Sequence, residues 1–182
     1  DMDLTSVLGN KDSVAIIIPG WSASDQNFVY TMMSQIDLDR DPFQYLELYG
    51  LPQWQQYDRI DLDYFEKLNV HISSNAFLDE TSPEVQQFKR DFYDQYGVIA
   101  PFEAYLGYDI MLFAGRMMKK YGNKFQYHLE KENPQYLHTQ FEFERVVDPT
   151  ATSGTENLPI EQFENKFVNI LQFKNYRFQR VN

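Results

Sequence analysis

The chain of 182 residues contains no cysteine. Disulfides, thiolate metal sites and cysteine nucleophiles are therefore excluded, while the compartment stays open, because periplasmic and cytosolic proteins can both lack the residue. Histidine is scarce, with only His71, His128 and His138. None pairs with another at metal-ligand spacing; His71 falls in a strand pattern, and His128 and His138 stand in polar stretches. Glycine-rich phosphate loops, a P-loop lysine and a G-x-S-x-G elbow are all absent, which leaves nucleotide-binding and hydrolase chemistry without residues. No apolar stretch reaches the ~20 residues that span a bilayer. Asp1-Met2-Asp3-Leu4 lacks the basic and apolar regions of a signal peptide, so the start reads as internal to a longer chain. Basic residues are few: 16 Lys and Arg stand against 27 Asp and Glu, a net charge of −11. Such a field repels nucleic acid and anionic membrane, and no basic patch offsets it.

What is present is apolar and aromatic mass: 43% hydrophobic residues, with 13 Tyr, 15 Phe and 2 Trp. That supports a packed core rather than disorder. Asp3 to Leu8 reads as the end of a helix. Val14 to Ile18 is a continuous apolar run of strand length closed by Pro19-Gly20, the pattern of a central strand covered on both faces. Ser22 and Asp25 make an S-x-x-D helix start, followed by Phe28, Val29, Met32, Met33 and Ile36 at helical spacing. Tyr45 to Tyr49 reads as a second strand closed by Gly50. Strand, helix and strand form a right-handed βαβ unit with parallel strands.

Asp61 to Leu68 reads as a short helix and Val70 to Ser74 as a third strand. Ser82-Pro83-Glu84 is a capped helix start, with Val85, Phe88, Phe92 and Tyr96 as its apolar face and Gly97 as its stop. A long helix spans Phe102 to Tyr121 with a stripe of Leu106, Ile110, Phe113 and Met117. Lys119 and Lys120 suit its C-terminal dipole, and Gly122 ends it. Phe141 to Val146 alternates as a half-exposed strand, and its Glu142 and Glu144, like Asp61 and Asp63, read as wet surface. Asp148 to Pro159 is a surface loop. Phe167 to Phe173 and Tyr176 to Val181 form an antiparallel hairpin. The expected fold is one α/β domain over residues 1–182: a three-layer sandwich with a mainly parallel sheet and an antiparallel C-terminal edge hairpin.

In open parallel sheets, ligands bind beyond the carboxyl ends of the strands. That rule nominates Gly20, Trp21 and Ser22 after the first strand, and Tyr49, Gln53 and Trp54 around the end of the second. Asn75 to Asp79 follow the third. Trp and Tyr rings at a cleft can stack on a small ligand while keeping a polar handle; alternatively they cap the sheet or meet another part of the protein.

Read in order, several stretches resemble the later part of type I periplasmic solute-binding proteins of the branched-chain amino-acid family. They are Val14 to Ser22, Leu48-Tyr49-Gly50-Leu51-Pro52-Gln53-Trp54, Leu68 to Ser74, the helix Val85 to Tyr96, Tyr105-Leu106-Gly107-Tyr108-Asp109, and the closing strands. The nearest variant occurs beside peptidoglycan-binding LysM modules. The resemblance implies two α/β lobes that close on a ligand without catalysis or cofactor. This chain would hold mostly the second lobe, and the first lobe would be its missing partner. It further implies a periplasmic or cell-envelope location, a ligand that is amino-acid-like or derived from cell wall, and a membrane transporter or peptidoglycan as partner through other domains. Trp21 or Ser22 falls where that family packs an aromatic on the ligand. Pro52 and Gln53 fall where it keeps an acid for the ligand's ammonium group, so this chain departs from the pattern there. Apolar surface left by an absent lobe could also drive a homodimer. A structural or interaction domain of the envelope that has lost its ligand is the alternative, and a flavodoxin-like or hydrolase-type enzyme the remaining one.

Overall fold

The computed structural model describes residues 4, 8–9, 12–20, 22–58, 60–147 and 160–182. Most of the expected helix before Leu8, Trp21, and the loop from Asp148 to Pro159 lie outside the described residues. The chain, expected as one domain, divides into two compact units: Asp1–Ser74 with Asn169–Asn182, and Asn75–Val168.

The first unit is built on a five-stranded sheet in the order β1-β2-β3-β6-β7. Its strands are β1 (Ser13–Ile17), β2 (Tyr45–Gly50), β3 (Val70–Ser74), β6 (Asn169–Lys174) and β7 (Arg177–Arg180). β1, β2 and β3 run parallel, whereas β6 and β7 are antiparallel to their neighbours, as the expected C-terminal hairpin requires. Asn175 and Tyr176 turn that hairpin with positive φ at both residues, the backbone twist that a two-residue hairpin loop demands.

Helix α1 (Gln26–Asp39) crosses from β1 to β2, and α2 (Leu62–Lys67) from β2 to β3. Right-handed crossovers that advance in one direction place both helices on one face of the sheet. Accordingly, Tyr30 of α1 meets Tyr64 of α2 edge to face at 5.8 Å. Beneath them lie Leu46, Leu48, Val70, Ile72, Leu171 and Phe173, all buried, closed from the helical side by Val29, Met33, Ile36 and Phe65. The described residues thus form two of the expected layers, a sheet and one sheath of helices.

Among the described residues β1, expected as a central strand, pairs on one side only, with β2, and Ile17 is 75% exposed.

The second unit holds α3 (Pro83–Tyr96), α4 (Phe102–Tyr121), a 3-10 segment over Gly122–Lys131, and a separate two-stranded sheet of β4 (Phe143–Val147) and β5 (Ile160–Asn165). The Ser82 hydroxyl accepts from Val85 N–H at 3.1 Å, and Gly97 ends α3 with φ of +70°, both as the sequence dictates. β5 was not anticipated, because Glu161, Gln162, Glu164 and Asn165 hide its alternation. The core of this unit gathers Phe113, Met117 and Phe141, with Tyr121, Phe125, Leu129, Tyr136 and Phe143 packed around them.

Two apolar stripes shift. Of α3's expected face only Val85 is buried, and Tyr96 is exposed. The buried face of α4 is Tyr105, Asp109, Phe113 and Met117, so Leu106 and Ile110 turn outward instead. The physical reason is Asp109: a carboxylate that belongs to the core rotates the helix relative to the purely apolar choice.

Candidate functional site

Of the candidate residues, Gly20, Ser22, Gln53 and Trp54 follow the carboxyl ends of β1 and β2. After β1 the chain passes Gly20 and Ser22 into a short 3-10 turn, Ala23–Asp25. Here the S-x-x-D start works in one direction. Asp25 Oδ2 accepts from Ser22 N–H at 2.9 Å, while the Ser22 hydroxyl bonds Ser24 rather than the helix. After β2 the chain turns through a second 3-10 segment, Pro52–Gln56. The two loops are tied together: the Tyr57 hydroxyl donates to Ser22 O at 2.9 Å.

Trp54 forms the floor of this rim. It is 1% exposed, and its ring lies 6.3 Å from that of Phe65. Gly50 makes room for it, and Gly20 makes room for Val29. A Cβ on Gly50 would overlap the indole, and one on Gly20 would stand 2.7 Å from Val29 Cγ2 and 3.8 Å from Trp54 Nε1. Trp54 therefore does not present its ring to solvent. Two polar atoms at the rim are buried without a hydrogen-bond partner among the described residues, Trp54 Nε1 and Gln53 Oε1. Replacing Gly50 with Ala should overpack this floor and cost about 1–3 kcal/mol, read as a lower denaturant midpoint; an unchanged midpoint would show that the indole can move aside.

Tyr49 points elsewhere. It lies on the sheet face away from α1 and α2, where the pairing of Ala15 with Glu47 and of Tyr49 with His71 aligns one set of side chains. Glu47 sits at its centre. It accepts from the Tyr45 hydroxyl at 2.8 Å and from the Tyr49 hydroxyl at 2.9 Å, and Tyr49 stacks on His71 at 5.0 Å. The hydrogen bond from Tyr45, then that from Tyr49, hold the Glu47 carboxyl below its ordinary 4.5, and Glu47 in turn raises both phenols. A carboxyl depressed in the folded state contributes stability that is present above its unfolded value and lost as pH falls through the folded value. Changing both Tyr45 and Tyr49 to Phe should move the Glu47 titration, followed by carboxyl NMR, upward toward 4.5. An unmoved titration would remove the phenols as its cause.

The sequence matches no family model and no curated protein. Among solved structures it is similar to an ABC transporter substrate-binding protein from Desulfitobacterium hafniense, solved in complex with Leu. The superposition covers 98% of this chain and 48% of that one, with 14% identity and a TM-score of 0.47. The chain spans about half the length of that protein.

Sequence reasoning passed over one further site. His138, read as lying in polar surroundings, is instead 3% exposed and pairs through Nδ1 with Asp109 Oδ2, which also accepts from His138 N–H at 2.9 Å. Phe102 and Phe141 flank the imidazole edge to face. Asp109 is fully buried, and its Oδ1 has no partner among the described residues. The loop carrying His138 holds the segment that enters this unit: Phe77 N–H donates to His138 O at 2.7 Å, and the Thr139 hydroxyl to Asn75 O at 3.2 Å. The pair thus clamps a loop. No group of three or more His, Cys, Asp or Glu side chains suited to a metal ion occurs among the described residues.

Proposed function

We propose that the first unit belongs to a lobe that binds a small solute at the rim formed by Gly20, Ser22, Gln53 and Trp54, without performing chemistry on it. The observation carrying this reading is the joining of the two strand-end loops over one floor, with an unpartnered acceptor on Gln53 and an unpartnered donor on Trp54. Buried polar atoms without partners cost free energy, roughly 1–3 kcal/mol each, and a ligand that supplies a matching group removes that cost. Glu47, which precedes the β2 loop within the strand, is engaged by two phenols, and Asp25 at the rim accepts from Ser22 N–H, so the acceptor without a partner there among the described residues is the Gln53 amide oxygen. That favours a neutral, hydrogen-bonding group over an ammonium. Tyr49, one of the sequence candidates, then serves the sheet face and not the ligand.

In this reading the chain is the larger part of one lobe of a two-lobe, extracytoplasmic solute-binding protein. A first lobe from the rest of the parent chain closes the cleft, and a membrane transporter or, through LysM-type modules, peptidoglycan is the onward partner. Amino acids and cell-wall fragments are the solutes to try. Titration calorimetry of the chain with both sets should give heat for at least one, weakened at least tenfold by Gln53→Ala. Silence across both sets, together with an unshifted melting temperature, would overturn the proposal. It would leave the second reading, a structural or interaction domain of the envelope, which the near-complete burial of Trp54 favours.

A further inference from the structure

Besides Trp54 Nε1 and Gln53 Oε1, the first unit buries a further side-chain atom without a hydrogen-bond partner among the described residues, Asn169 Oδ1. Asn169 opens β6 and is 0% exposed. Its amide orientation is fixed by its neighbour: Nδ2 donates to Ser74 O at 3.1 Å, and a carbonyl oxygen can only accept. Oδ1 is therefore an acceptor left unused, where buried polar groups are nearly always paired. Register places it on the rim's side of the sheet. Side chains alternate along a strand, and Asn169 pairs with Ser74 two residues beyond the pair of Leu171 and Ile72. It shares their face, toward the helices, at the carboxyl ends of the parallel strands. Trp54 lies on that face too, over Gly50, which pairs with Ile72. The three atoms are spread across the sheet. Trp54 Nε1 is beyond β1, 3.8 Å from where Gly20 would carry a Cβ. The segment bearing Gln53 packs on β3, and Asn169 stands on β6. The order β1-β2-β3-β6 puts three strand spacings between the outer two, about 14 Å.

We propose that Asn169 is a further solute contact, and that the solute is a short extended peptide lying across the strand ends from β1 to β6. This rests on the rim being a solute site. Length separates a peptide from a free amino acid. An extended chain advances at most ~3.3–3.6 Å per residue, so about four residues span three strand spacings, whereas one residue covers less than a single spacing. An extended backbone also supplies the matching groups. A C=O accepts from the indole at one end, and N–H groups donate to the Gln53 and Asn169 oxygens further along. Both oxygens are neutral, which suits a peptide N–H better than an ammonium group, whose strong partner is a carboxylate.

Titration calorimetry with alanine, dialanine and tetraalanine tests this on the wild-type chain and on Asn169→Ser, which keeps a donor near Ser74 O and withdraws the Oδ1 acceptor. Tetraalanine is expected to bind at least tenfold more tightly than dialanine, and alanine more weakly still. Asn169→Ser should weaken tetraalanine at least tenfold. If that variant misfolds, the side-chain carbonyl of Asn169 decides in the wild type. Tetraalanine should shift its carbon-13 resonance and leave that of Asn69, whose Oδ1 already accepts from Gln172. Alanine binding as tightly as tetraalanine overturns the proposal, as does tetraalanine binding to which Asn169 is indifferent. Silence from tetraalanine with heat from another solute overturns the peptide and Asn169 while the rim stands. Silence from every solute overturns the rim as well.

Discussion

Replacing His138 with Ala is expected to lower the stability of the second unit by about 1–3 kcal/mol, the cost of leaving a buried acceptor without its hydrogen-bond partner. The substitution leaves the carboxyl group of Asp109, itself 0% exposed, with one backbone N–H donor among the described residues. A surface pair would lose little under the same change, because water and salt screen it. The effect should also be local. His138 O and the Thr139 hydroxyl hold Phe77 N–H and Asn75 O, so hydrogen exchange should quicken first over residues 75–77 and 135–141, ahead of α4. A double change, Asp109→Leu with His138→Phe, removes both polar partners and leaves apolar groups among Phe102, Phe113 and Phe141. It should be far less damaging than His138→Ala alone. If His138→Ala unfolds within about 1 kcal/mol of wild type, the pair contributes no more than an exposed one does, and the clamp is not a structural determinant.

This pair also marks where the sequence stops being legible. Local rules predicted what local physics controls. Ser82 and Gly97 bound α3 because a hydroxyl cap and a positive φ are written in single residues. The βαβ unit was readable because an apolar run, a helical period and another apolar run occur in order. The rim was readable because strand ends in a parallel sheet share an edge, and the Tyr57 hydroxyl does bond across to Ser22 O. The errors all concern what a residue faces. Asp109 lies among apolar residues, and nothing in Tyr105-Leu106-Gly107-Tyr108-Asp109 announces that a histidine 29 positions later will meet it. β5 escaped notice because its polar residues outnumber its apolar ones. Trp54 was nominated as a ring for a ligand, and its ring is buried. Gly50 gave the contrary signal, since a glycine at the strand end leaves room for an indole to lie against it.

Trp54→Ala should be the most damaging single change in the first unit, at about 3–5 kcal/mol. The indole fills the space beneath two strand ends and touches Phe65, which in turn meets Phe173 at 5.3 Å and Phe178 at 6.0 Å. Deleting it opens a cavity bounded by the backbone of Gly20 and Gly50, which cannot move into the gap without breaking the β1–β2 ladder. Trp54→Phe separates packing from polarity. It keeps most of the ring and removes Nε1, a buried donor without a partner among the described residues. Its expected cost is therefore well below that of Ala, because the lost contacts are partly offset by the removal of an unpaired N–H. The same variant bears on the rim. If a solute accepts a hydrogen bond from that indole, Trp54→Phe weakens binding while the fold survives, a split that a purely structural tryptophan does not produce. Denaturant unfolding with calorimetric titration on both variants measures the two effects separately. Equal destabilisation by Ala and Phe would mean that Nε1 finds a partner in the folded chain and that the orphan donor does not exist.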